Sequence, residues 1–186
     1  MERLLKNKKP QILKSTILAK TAIFTIEGLD LRFSNGEERC YERVQGGARG
    51  SVLIVPLLDA ETMLLIREYA AGVDDYLLAF PKGAIASGED ALSTAQRELQ
   101  EEAGYGATTL TLLGRVSAAP GYMSSMMDIV LAQELYPAEA VGDEPEPIEV
   151  IPWQLNKVDA LITHPAFHEA RSLAALLLLE RHLRRE

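Results

Sequence analysis

Three carboxylates crowd one short stretch of this chain. Glu98 and Glu102 stand four residues apart, and Glu101 stands three after Glu98. On a helix such spacings make the side chains neighbours, and like charges placed that way cost a few tenths of a kcal/mol per pair, roughly. Something must offset that repulsion. Hard divalent cations do so well, because carboxylate oxygen is the donor that Mg²⁺ and Mn²⁺ prefer. Arg97, four before Glu101 and eight after Glu89, is an internal counter-charge for one or both of those groups. A solvated acidic helix face is the competing reading, since charge runs usually face water.

The element that must carry these groups is an amphipathic helix over Ala91–Ala103. Ser87, Gly88, Glu89 and Asp90 supply turn and N-cap chemistry before it, and Gly104 a left-handed C-cap after it. Leu92, Ala95 or Gln96, and Leu99 recur at helical spacing and are expected to face a core. Around this helix the pattern alternates strands with two or three helices, which means a layered α/β or α+β fold.

The first 48 residues read as a small antiparallel β unit, with strands around Ile17-Leu18, at Ala22-Ile23-Phe24 and along Leu29, Leu31 and Phe33. Ser34-Asn35-Gly36 is a hairpin turn, and Glu38 to Val44 the return strand, with Cys40 as a small apolar member. Residues 49–186 form the second domain. There, strands are expected at Ser51–Leu58, Met63–Glu68, Tyr76–Phe80, Leu110–Val116, Met127–Leu135 and Ile148–Trp153. Helices are expected at Gln154–Ile162 and Ala166–Arg185, on either side of a break at His164-Pro165. An acidic, proline-bearing loop occupies 136–147, containing Gly142-Asp143-Glu144-Pro145-Glu146-Pro147.

The 186 residues are 47 % hydrophobic and 25 % charged, with a formal net charge of −8. This balance supports a full core and argues against bulk nucleic-acid binding, which needs a basic surface. It leaves room for a small anionic substrate, because bound metal inverts local charge. Cys40 is the single cysteine, so no internal disulfide forms, which suits a reducing compartment. The N-terminal MERLLKNKKPQ lacks the apolar stretch of a secretory signal, and no run approaches a membrane span. The expectation is a soluble cytoplasmic protein without membrane or nucleic-acid partners.

The pattern Gly83, five residues, Glu89, seven residues, then Arg97-Glu98-Leu99-x-Glu101-Glu102-x-Gly104-Tyr105 resembles the Nudix box at every constrained position. Stretches such as FSNG, IREYA, FPKGAI, GDEPEP and HEAR extend the likeness, to the ADP compounds hydrolase (NudE) type of Nudix hydrolase, over most of the chain. The resemblance implies a Nudix α/β/α sandwich with a mixed sheet, preceded by an N-terminal antiparallel sheet that helps form a homodimer. It implies a Mg²⁺-dependent pyrophosphohydrolase of ADP-X compounds (ADP-ribose, NADH, diadenosine triphosphate) that releases AMP, with Mn²⁺ an alternative ion.

Carried over position by position, the resemblance makes Glu98 and Glu102 the main metal ligands, Glu101 an auxiliary one, and the Lys82 carbonyl a further one. The Lys82 side chain is then free for phosphate. Glu89 and Arg97 brace the loop against the helix, and Gly83 permits close backbone approach. Glu144 matches the relatives' general base and Glu146 their extra metal-contacting glutamate; which of the two is the base stays open. Arg67, Pro120, Tyr122, Phe24 and Arg43 are candidates for substrate contact, the last two toward a partner's nucleotide. Ala70 and Ala79 stand where ADP-ribose hydrolases commonly have an arginine and a glutamate, which argues against tight ADP-ribose selectivity. The alternatives are a nucleotide-sugar or diadenosine tetraphosphate hydrolase with a different pocket, and a nucleotide-sensing module without catalysis, which would be expected to lose box carboxylates.

Overall fold

The computed structural model describes residues 8–47, 49–142 and 145–185. Strands β1 (Gln11–Lys20), β2 (Thr25–Arg32) and β3 (Glu38–Val44) form an antiparallel sheet in that order. The β2–β3 turn closes through Phe33 N–H to Glu37 O and relies on Gly36 at φ 88°. The compact unit built on this sheet, ending at Gly46, also takes in the distant segment Ala119–Ser125. Val44 N–H donates to Tyr122 O, Ser124 N–H to Val44 O, and Gly46 N–H to the Ser124 hydroxyl. Ala22-Ile23-Phe24, expected as a strand, is instead the β1–β2 turn, held by the Thr21 amide donating to Phe24 O. The Thr21 hydroxyl accepts from the Phe24 amide and so mimics a backbone turn partner, which local hydrophobicity does not reveal.

The second unit, Gly47–Ala118 with Met126–Glu186, holds the other elements. They are β4 (Ser51–Pro56), β5 (Thr62–Ala70), β6 (Asp75–Ala79), β7 (Lys82–Ala84), α1 (Ala91–Ala103), β8 (Tyr105–Val116), β9 (Met127–Pro137), β10 (Glu149–Gln154), α2 (Val158–Ile162) and α3 (Ala170–Leu183). A mixed sheet runs β7-β4-β9-β8, with β4 parallel to β9, and a second, antiparallel sheet runs β10-β5-β6. Strand β4 is buried on both faces. Val52 and Ile54 meet Ala95, Leu99 and Ala103 of α1, while Leu53 and Val55 pack with Leu65, Phe80, Leu176 and Leu179. Alternation along one strand therefore builds two cores, and α1 lies on the opposite side of the mixed sheet from α3. This is the expected α/β/α sandwich.

Helix α1 has the expected bounds. Asp90 accepts from the Ser93 amide in a capping box, and Gly104 sits at φ 73°. Leu92 departs from expectation: it is exposed, and the buried stripe is Ala95, Leu99 and Ala103 with Thr94, Glu98 and Glu102. Three further differences come from interactions that periodicity does not carry. Lys82–Ala84 is a strand because it pairs with β4, and β8 starts at Tyr105 because it pairs with Pro137 of β9. The last helix starts at Ala170, where Glu169 caps the Arg171 and Ser172 amides. Long-range pairing and a side-chain cap decide these ends, and periodicity carries neither. Cys40 is exposed, and its thiol donates to Asp30 Oδ1 across the β2–β3 pair.

Candidate active site

The site forms where β7 ends against α1. Arg97 is its hub. Its Nε lies 3.0 Å from Glu89 Oε1, one terminal nitrogen 2.8 Å from Glu98 Oε1, and the other 2.6 Å from Glu101 Oε2. Glu89 also accepts from the Thr94 hydroxyl at 2.8 Å. The Arg97 guanidinium, then Thr94, hold the Glu89 carboxyl down at about 2, and Glu89 in turn raises Arg97 above its ordinary value. The guanidinium fork thus ties the loop carboxylate and two helix carboxylates to one side chain.

Glu102 sits deeper. It is 6 % exposed, and one oxygen accepts the Lys82 amide at 2.9 Å. Burial pushes its carboxyl up to about 8, against the pull of the Lys82 charge and amide. Gly83 lies directly under Glu98: a Cβ there would overlap the Glu98 carboxylate. Glycine at this position is therefore a steric requirement. Lys82, Gly83, Arg97, Glu98, Glu101 and Glu102 line one open cleft of about 480 Å³, with Val141 and Gly142 at its rim.

This donor set fits a hard divalent cation. It offers carboxylate oxygens on one helix turn, one of them costly to ionise alone, above a strand whose missing side chain leaves room for Glu98. Among the described residues no three acidic, histidine or cysteine side chains converge as a ready cage, because Glu98 and Glu101 turn to Arg97 and Glu102 to the Lys82 amide.

The other expected residues fall into two groups. Arg67 and Glu146 share a second cavity, of about 280 Å³, with Glu68, Tyr69 and Tyr76. The Arg67 guanidinium stacks 4.6 Å from the centre of the Tyr76 ring and lies 3.6 Å from Glu149. The Tyr76 hydroxyl donates to the Glu146 carboxylate, which raises the phenol's pKa. Glu146 is thus held on Tyr76 and does not line the Glu98 cleft. Glu144 lies outside the described residues. In the N-terminal unit, Arg43, Pro120 and Tyr122 line a cavity of about 250 Å³ together with Leu29, Leu31 and Tyr41. Arg43 Nε lies 2.7 Å from Glu27 Oε2, and the buried Glu27 also accepts from the Ser15 hydroxyl. Phe24 is half exposed and is absent from that lining.

Sequence reasoning missed Glu68 and Tyr76. Glu68 Oε2 lies 2.6 Å from Lys82 Nζ, and Tyr76 carries both Arg67 and Glu146. The sequence signals are that Glu68 lies in the stretch IREYA, which carries part of the resemblance, and that Tyr76 lies on β6, just ahead of β7.

Residues 10–43 match the NudE-type Nudix hydrolase N-terminal domain, and residues 47–177 match the NUDIX domain. The chain is 47 % identical to the ADP compounds hydrolase NudE of Escherichia coli (strain K12), over 95 % of this chain and 94 % of that protein. It is 27 % identical to the ADP-ribose pyrophosphatase of Bacillus subtilis (strain 168), over 90 % of this chain and 94 % of that one. A solved structure described as a crystal structure of ADP compounds hydrolase superimposes with a TM-score of 0.90 at 47 % identity, covering 95 % of each chain.

Proposed function

The chain belongs to the Nudix hydrolase family, NudE type, and from that premise we propose that it is a divalent-metal-dependent pyrophosphohydrolase of ADP-X compounds. The substrates are ADP-ribose, NADH and diadenosine triphosphate, and the ion is Mg²⁺, with Mn²⁺ able to replace it. The observation that carries this reading is the Arg97-centred set of Glu89, Glu98 and Glu101, with Glu102 and Gly83 completing the cleft. A nucleotide-sensing module would have no need to keep every one of those carboxylates.

In the reaction, water adds to one phosphorus of the diphosphate, the bridging P–O bond breaks, and AMP leaves with a second phosphorylated product. Bound metal would polarise the phosphoryl oxygens and acidify the attacking water. Glu98 and Glu102, helped by Glu101 and the Lys82 carbonyl, are the groups that would hold it. Arg97 keeps Glu98 and Glu101 pointed into the cleft, and Glu89 keeps Arg97 in place. The Lys82 ammonium, in the same cleft, offers a positive charge to the diphosphate. The general base is Glu144, from the loop whose other glutamate, Glu146, Tyr76 holds. Arg43, Pro120 and Tyr122 supply a nucleotide-contacting wall in the N-terminal unit.

The working form is a cytoplasmic homodimer. No helix among the described residues is long and apolar enough to cross a membrane. Edge strand β1 is exposed at every position and displays Ile12, Leu13, Ile17 and Leu18, a surface suited to a second copy. The test is product analysis across ADP-ribose, NADH, NAD and diadenosine polyphosphates with Mg²⁺. AMP release from the first two and from diadenosine triphosphate is expected. Preferred cleavage of nucleotide sugars or diadenosine tetraphosphate overturns the substrate class. Turnover of Glu144→Gln within severalfold of the unaltered enzyme overturns the base.

A further inference from the structure

One ion pair links the cleft to the Tyr76 cavity. Glu68 lines the cavity and Lys82 lines the cleft, and their charged ends meet at 2.6 Å. Both residues stand on paired strands. Glu68 of β5 is opposite Leu77 of β6, and Lys82 of β7 is opposite Leu53 of β4. The Lys82 side chain is 19 % exposed and the Glu68 side chain 37 %. The pair is therefore shielded enough to matter more than an open surface bridge.

The same lysine donates its backbone N–H to Glu102, and it shares the cleft with Glu98, Glu101 and Glu102. Its stem begins beside those carboxylates, and its charge already acts on Glu102. The ammonium itself is paired with Glu68. A lysine is a compact point charge on a flexible stem, and without a fixed partner it goes to the strongest negative field within reach. Here that field is the acidic turn of α1.

We propose that Glu68 is a positioning residue that holds the Lys82 ammonium in an ion pair of its own and so keeps it from pairing directly with the metal-binding carboxylates. It thereby keeps those carboxylates available to a divalent cation and the ammonium available to an incoming phosphate. Loss of Glu68 turns Lys82 into an internal competitor for the metal site. The inference rests on the metal-binding reading of the cleft, and it adds that the affinity of the cleft is tuned by a carboxylate that does not line it.

The experiment is a double-mutant cycle read by Mn²⁺ affinity, from the free-ion electron paramagnetic resonance signal, without substrate. Glu68→Gln keeps the shape and removes the charge; Lys82→Met removes the competitor. In the Lys82 background, Glu68→Gln is expected to weaken Mn²⁺ binding about tenfold, since an ammonium a few ångströms from the carboxylates strongly opposes a second cation. In the Lys82→Met background the same change is expected to cost less than twofold. Circular dichroism melts check that each variant folds, and Glu68→Ala serves in place of Glu68→Gln if the amide misfolds. Equal losses in both backgrounds mean that Glu68 acts only through its own field and overturn the proposal, as does a loss under twofold with Lys82 present. An unaltered protein that binds no Mn²⁺ overturns the metal reading itself. An unaltered protein that binds Mn²⁺ and shows the coupling but releases no AMP overturns only the hydrolase assignment.

Discussion

Two arginines of the second unit sit among acidic side chains, and they are held in opposite ways. Arg97 reaches Glu89, Glu98 and Glu101 with separate nitrogens of its fork, at 3.0, 2.8 and 2.6 Å. Arg67 lies over the face of Tyr76, its nearest carboxylate 3.6 Å away on Glu149. The first is a rigid hub whose partners are fixed by one helix and its capping loop. The second rests on an aromatic pair, Tyr69 and Tyr76, whose rings meet edge-on at 5.6 Å. Rigid charge pairing suits a site that must hold a cation and a diphosphate in fixed geometry. A stacked, half-exposed guanidinium suits a wall that yields to different second groups on the substrate. On this contrast the proposed chemistry belongs to the Arg97 side, and the proposed substrate tolerance to the Arg67 side.

The strongest way to break that division is through the glutamates of each region. Glu102→Gln is expected to lower kcat about a thousandfold, because it removes a carboxylate that would hold the ion on which charge stabilisation depends. Glu146→Gln, whose partner is the Tyr76 hydroxyl, is expected to cost less than tenfold and to act mainly on KM. Steady-state kinetics on ADP-ribose check both. Losses of similar size would mean that the two cavities act as one catalytic site.

The Arg97 hub was partly legible in the sequence because its three carboxylate partners lie within eight positions of it, on a helix whose ends Asp90 and Gly104 announce, whereas its contact with the Ala84 carbonyl crosses from α1 to β7. Helical spacing brings Glu101 to Arg97, while the Arg97–Glu98 contact between sequence neighbours is not one that spacing predicts. The Arg67 cavity was not legible, because β5, β6 and the loop before β10 meet only through strand pairing, Glu149 opposite Arg67 and Arg67 opposite Leu78. The same limit hid the Glu68–Lys82 pair and the docking of Ala119–Ser125 on β3, which no local pattern encodes. Leu92 misled for a simpler reason. A single leucine off the buried stripe of α1 has the same periodic claim as one on it, and only the packing of Ala95 and Leu99 against Val52 and Ile54 decides. The α/β/α layering followed from the box resemblance; the strand and helix count allowed other layered folds.

Stability sharpens the comparison at smaller scale. Arg97→Gln leaves Glu89, Glu98 and Glu101 clustered without their shared counter-charge and is expected to cost about 2 kcal/mol. Arg67→Gln removes one stacked, half-exposed cation and is expected to cost under about 1 kcal/mol. Urea denaturation at neutral pH in the absence of divalent ions reads the difference. Equal costs would deny the hub its special role.

The smallest effect expected is in acid. Glu89 is depressed to about 2, first by Arg97 and then by Thr94, from an ordinary value of 4.5. The unfolded chain takes up that proton at a higher pH than the folded one does. Between about 4.5 and 2 the unfolded state therefore binds more protons, and stability falls as pH falls through that window. Above it, the contribution of Glu89 is fully present and flat. Glu89→Gln should lower the melting temperature at pH 6 and make its decline between pH 4.5 and 3 shallower. No comparable flattening should follow from Arg67→Gln, since that residue has no part in holding Glu89. Thermal melts across this range separate the two arginines: a slope that is unchanged in Glu89→Gln would mean that the loop carboxylate is not locked to Arg97 in solution.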